Sequence, residues 1–89
     1  MKLLSYKDSV VIGKVYMLED KTCKVFAKCT HQGANHVTFK HLSGSDIGLY
    51  EDMSKDNIVQ MTLDNEFFNE NLHYRVYEVS KNENPEYFL

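Results

Sequence analysis

The sequence predicts a mainly β domain, a small and strongly bent antiparallel sheet or barrel of about five strands with at most a short helical turn. Three observations predict it. Apolar residues alternate with polar ones at the period of a strand, not of a helix, through most of the chain. β-branched and aromatic residues gather in short runs separated by turn-forming residues. The 89 residues, 43% of them hydrophobic and 26% charged, suit one small globular core and leave no room for a second.

The elements follow in order. Val10 to Leu18 is rich in Val, Ile and Tyr, and Gly13 marks a bulge or bend within it. Glu19-Asp20-Lys21-Thr22 is a turn. From Cys23 to Thr30, Cys23, Val25, Ala27 and Cys29 share one face while Lys24, Phe26 and Lys28 share the other. Gln32-Gly33-Ala34 closes a three-residue hairpin loop in which Gly33 supplies a positive φ, and His36 to Leu42 forms the return strand. Ser43 to Asn57 reads as one long irregular connection, of the kind on which function often sits. Ile58 to Leu63 is a short strand, Asp64 to Asn71 a helical turn or wide loop, and Leu72 to Val79 the last strand. Residues 1–80 thus form the domain, and residues 81–89 a flexible C-terminal tail whose Tyr87-Phe88-Leu89 either folds back or serves as a peptide for a partner's groove.

Charge is strongly segregated. Residues 1–20 balance at zero, residues 21–45 sum to +4 without an acid, and residues 46–89 sum to −7. Pairing of the hairpin about Gly33 sets Lys24, Phe26, Lys28 and Thr30 opposite Leu42, Lys40, Thr38 and His36 on the wet face. Lys24, Phe26, Lys28, His36 and Lys40 then form a basic plaque with an exposed ring, the combination by which single-stranded nucleic acid is held through phosphates and a stacked base. The opposing reading is that such lysines decorate any solvated sheet face. The acidic half offers another surface, in which Tyr50, Glu51, Asp52, Asp56, Glu66 and Phe67 dock on a basic protein, aromatics anchoring within a charged rim.

Cys23 and Cys29 are expected to be buried free thiols, since on one strand they lie about 20 Å apart, beyond disulfide reach. Cys29, His31, His36 and His41 are close in sequence, but their spacing is not that of a zinc site, so no metal and no cofactor are expected. Cys29 and His31 lack a third residue to orient the histidine, and the chain has no Gly-rich phosphate loop, G-x-S-x-G or H-E-x-x-H. A non-enzymatic protein is expected. No apolar stretch reaches the roughly 20 residues that span a bilayer, and MKLLSYKDSV lacks the apolar core of a signal peptide, so the chain is expected in the cytoplasm, away from membranes.

Two resemblances extend this reading. The order of elements, with Met53-Ser54-Lys55-Asp56-Asn57-Ile58-Val59 placed like the single 3₁₀ turn before the last barrel strand, resembles SH3-like barrels, although the aromatic and proline pattern of peptide-binding SH3 domains is missing. Phe, Tyr, Met, Ile, Asn and Lys make up 34 residues, against 8 for Gly, Ala, Arg and Pro. That A/T-rich residue usage, with the small size and the lone Arg75, resembles small early or accessory proteins of T4-like bacteriophages, an A/T-rich bacterium being the other source. The resemblance implies an inhibitor or accessory factor that binds a host protein, a defence component among the targets, in the host-cell cytoplasm. The alternative is a single-stranded nucleic-acid (RNA) binder using the hairpin of residues 21–45.

Overall fold

A computed structural model of the chain describes residues 1–4, 8–20, 22–56, 58 and 75–88. Within them, β1 (Lys2–Leu3), β2 (Val15–Glu19), β3 (Lys24–Gln32), β4 (His36–His41), β5 (Tyr50–Ser54) and β6 (Arg75–Glu78) form one antiparallel sheet in the order β1-β6-β2-β3-β4-β5. The mainly β expectation holds, as an unclosed sheet with six strands among the described residues. A 3₁₀ turn, Pro85–Phe88, follows β6.

The alternation read from the sequence sorts side chains onto two faces. Tyr16 and Leu18 of β2, Ala27 and Cys29 of β3, Val37 and Phe39 of β4, Met53 of β5 and Val76 of β6 join Leu4, Val10 and Ile58 in the main core. The ring of Phe39 meets that of Tyr16 edge-on, with centroids 6.0 Å apart. On the opposite face Val15, Met17 and Val79 form a second cluster with Phe26, Leu42, Tyr77, Tyr87 and Phe88. Strand β2 runs through the middle of the sheet with both faces covered, so Val15, Tyr16, Met17 and Leu18 are all buried and read as an unbroken apolar run.

Several boundaries differ from those expected. Val10 to Leu18 is not one strand: Ile12 and Gly13 turn, with Gly13 at φ 91°, and β2 starts only at Val15. The bend at Gly13 was legible; its consequence, a turn tied to β3 by the Gly13 amide donating to the Cys29 carbonyl at 2.8 Å, was not. In the β3–β4 hairpin Gly33 is not among the positive-φ residues. The register is instead Ala27↔His41, Lys28↔Lys40 and Cys29↔Phe39, then His31↔Thr38, with a bulge at Thr30. One extra residue on β3 moves His31 onto the face opposite Cys29.

The long connection is the larger correction. Residues 43–49 do form a turn, but Tyr50–Ser54 is a strand paired with β4, from Lys40↔Tyr50 to His36↔Ser54. Its acids disguise it, because only Met53 of its five residues is fully buried. Lys55, Asp56 and Ile58 turn helically, so the strand expected from Ile58 does not begin there; its remainder and the element expected at 64–71 lie outside the described residues. Of the turn expected at Glu19-Asp20-Lys21-Thr22, Glu19 belongs to β2 and Lys21 lies outside the described residues; the Asp20 carboxylate accepts from the backbone N–H groups of Thr22 and Cys23, each at 2.8 Å.

Candidate functional site

The turn between β4 and β5 is firmly built. The Gly48 amide donates to the His41 carbonyl at 2.8 Å, the His41 amide to the Leu49 carbonyl at 2.9 Å, and the Leu49 amide to the Asp46 carbonyl at 2.9 Å. Gly44 and Gly48 sit at φ 83° and 87°, where a side chain would be strained, and a Cβ at Gly44 would come within 3.0 Å of Val25 Cγ1. These ties fix a loop whose apolar residues nevertheless face solvent: Ile47 is 65% exposed, Leu49 60% and Tyr50 60%. Asp46, Glu51 and Asp52 flank them in sequence.

Beside this loop lies a cavity of 440 Å³, lined by Val25, Leu49 and Tyr50 and by the acids Asp20, Asp46 and Glu51. His41 lines it too; it is 8% exposed, its Nε2 is 2.8 Å from Glu51 Oε1, and its Nδ1 has no hydrogen-bond partner among the described residues. Burial raises the pKa of Asp20, but the amides of Thr22 and Cys23 outweigh it and hold the carboxyl below its ordinary range. Asp20 therefore carries its charge at neutral pH.

The residues expected to bind protein are partly brought together. Tyr50, Glu51 and Asp52 follow one another on β5, but alternate faces: Glu51 reaches His41, while Asp52 bonds Thr38 on the other side. Asp56 is exposed just beyond β5. Glu66 and Phe67 lie outside the described residues. Ile47 and Leu49 were missed, although two aliphatics around Gly48 in an otherwise polar stretch were a readable signal.

The basic residues are also partly assembled. Lys28 and Lys40 face each other directly across β3 and β4, and the Lys40 ammonium lies 5.9 Å from the centre of the Tyr50 ring. His36 is exposed at the far end of the same face. Lys24 is drawn away to Glu19, 3.4 Å from it. Phe26 is not the exposed ring expected from the sequence: Tyr87 stacks on it with centroids 4.6 Å apart and planes 23° from parallel. The alternation put Phe26 on the correct face, but that face is itself half covered.

The thiols also divide. Cys29 is buried and Cys23 is exposed, contrary to the expectation that both are buried; Cys23 precedes β3, beside the Asp20 turn. Burial pushes the Cys29 thiol up, and Cys23 is raised by desolvation and then by its bond to the Asp20 carboxylate. Neither is an activated nucleophile. A thiol-reactive dye added to the native chain is expected to label Cys23 alone, with Cys29 reacting only after denaturant is added, and C23S should abolish the native-state reaction. Prompt labelling of both would contradict the burial of Cys29. Cys29, His31, His36 and His41 are split between the two faces, and among the described residues no three His, Cys, Asp or Glu side chains are grouped to hold a metal.

Comparison with family models, with characterised proteins and with solved structures returned no match to this chain. Among the described residues no helix is long and apolar enough to cross a membrane. Class is therefore defined by fold and surface alone: a small antiparallel β domain presenting a rigid loop with an exposed apolar tip.

Proposed function

We propose that this chain is a small non-enzymatic binding protein whose partner docks on the 46–52 segment, with Ile47, Leu49 and Tyr50 as the apolar centre and Asp46, Glu51 and Asp52 as the acidic rim. The observation that supports this best is the exposure of those three apolar side chains on a loop fixed by its own backbone hydrogen bonds. Exposed apolar residues on an ordered loop offer area for burial without the entropic cost of ordering it at binding. Acidic rim charge selects a basic partner surface and speeds encounter. With the phage-like residue usage, the partner is a host-cell protein that the chain inhibits or modulates in the cytoplasm, a defence component being the target class.

The second reading, single-stranded nucleic acid on the β3–β4 face, is favoured by the direct opposition of Lys28 and Lys40, an arrangement that costs stability unless an anion lies between them. It has lost Phe26 to Tyr87 and Lys24 to Glu19.

One experiment separates the two. The tagged full chain is used for capture from its host cell, with and without nuclease, alongside an I47S/L49S variant and a K28E/K40E variant, all checked for unchanged circular dichroism. The expected result is a stoichiometric protein that survives nuclease, is retained by K28E/K40E, and binds I47S/L49S at least about 30-fold more weakly, as loss of a central anchor worth roughly 2 kcal/mol requires. Loss of the partner on nuclease treatment, or undiminished binding by I47S/L49S, would sink the proposal.

A further inference from the structure

The cavity beside the docking loop has a chemical character of its own. Three of its lining side chains are carboxylates, Asp20, Asp46 and Glu51, and among the described residues no lysine or arginine lines it. Two of these are held in place, Asp20 by the amides of its turn and Glu51 by His41. Val25, Leu49 and Tyr50 add apolar and aromatic surface to the wall, which Cys23 and Ser45 also line. His41 lines it as well; the residue is nine-tenths buried, its Nε2 is held by Glu51, and its Nδ1 is buried without a partner among the described residues. The cavity's 440 Å³ lies within the range of about 300–1,000 Å³ typical of sites that enclose a ligand.

Negative charge beside apolar and aromatic surface fits a group with a delocalised cation on a hydrocarbon stem. A guanidinium meets this better than an ammonium: it is weakly hydrated, presents several donors in a fixed plane to more than one carboxylate, and lies flat against an aromatic ring. We infer that the cavity is the anchor subsite of the proposed interface and takes an arginine side chain from a basic partner protein, its stem against Leu49 and Tyr50 and its guanidinium among Asp20, Asp46 and Glu51. This assignment rests on the docking reading above and makes it specific. The partner surface is one that carries arginine, as surfaces that hold phosphate or nucleic acid do, and the chain would cover it by presenting carboxylates in place of phosphates.

The test uses the ¹⁵N-labelled full chain and N-acetyl-arginine methylamide as probe, with the citrulline analogue as a neutral mimic of the same shape and the lysine analogue as the second cation. Amide shifts at Cys23, Ser45, Leu49 and Tyr50 are expected to move with the arginine probe, less with lysine and not with citrulline. D46N should weaken the arginine response severalfold without altering the rest of the spectrum, Asp46 being exposed, which matters because E51Q also disturbs His41. Equal responses to arginine and citrulline, no response in these residues, or an unaffected D46N would overturn the anchor. Failure here alongside partner loss in I47S/L49S removes only the arginine subsite. Arginine binding in a chain whose partner survives I47S/L49S removes the docking surface, and with it the cavity's assignment to that interface.

Discussion

Replacing Phe39 with alanine is expected to lower folding stability by about 3–5 kcal/mol, the range for removing a buried aromatic ring whose neighbours cannot close the gap. Phe39 is fully buried at the centre of β4, and it packs against Tyr16, whose own position is fixed by the Val11 amide donating to its hydroxyl at 2.8 Å. Relaxation is therefore restricted on that side, and the edge-on contact between the rings adds roughly 0.5–1.5 kcal/mol that an aliphatic replacement also loses. Domains are stable by only about 5–15 kcal/mol, so the variant should melt on the order of 20 °C lower or fail to fold at moderate temperature. Phe39→Leu, which keeps most of the volume, should fall between the variant and the parent and keep the measurement possible if alanine unfolds the chain. Thermal and urea unfolding followed by circular dichroism give the numbers; a loss below about 1 kcal/mol for alanine would mean that the ring does not occupy the core.

How far the sequence disclosed the molecule depends on how each residue's surroundings are made. The alternation of Val25, Ala27 and Cys29 against Lys24, Phe26 and Lys28 is local, and it sorted these six onto the two faces of β3, but Cys23 falls before the strand and is exposed, and β3 runs on to Gln32. The register of the hairpin was not local. It depends on the bulge at Thr30, and no residue type there demands one; the Thr30 hydroxyl donating to the Thr38 carbonyl at 3.4 Å is visible only after the strands are paired. Strand β5 escaped notice for a related reason. Tyr-Glu-Asp-Met-Ser has a strand's alternation in Glu51 and Met53, but its acids resemble a loop until β4 is laid beside it. The two-residue β1 has no sequence signature at all, being defined by Lys2↔Glu78 and Leu3↔Tyr77. At the candidate site, the acids and Tyr50 were readable as a group, whereas the cavity was not, since Asp20, Val25, His41 and Glu51 come from four separate parts of the chain.

Truncation after Asn84 is expected to destabilise the chain by about 2–3 kcal/mol, with Tyr87→Ala alone costing roughly half as much. Fully burying an aromatic side chain contributes about 1.5–3 kcal/mol, and Tyr87 and Phe88 are each only partly buried, so together they amount to roughly one such burial plus the stacking of Tyr87 on Phe26. The path of the chain supports this docking. Glu83 accepts from the Ser80 amide at 3.1 Å and pairs with the N-terminal ammonium, which holds its carboxyl down to about 2 and ties the turn before the 3₁₀ segment to the far end of the chain. Losing the segment uncovers Phe26, Leu42 and Tyr77 on the face that also carries Lys28 and Lys40. The truncated chain should therefore bind an apolar dye more strongly as well as unfold at lower urea. It also returns a bare ring to the basic face, which bears on the nucleic-acid reading: if Phe26 and the two lysines can act together, the truncated chain should bind single-stranded RNA at low salt more tightly than the parent, and K28E should abolish the gain. An unchanged urea midpoint would show that Tyr87 and Phe88 do not hold the outer face. A lower midpoint with no gain in RNA binding would leave the tail as a structural cover and confine recognition to the acidic loop.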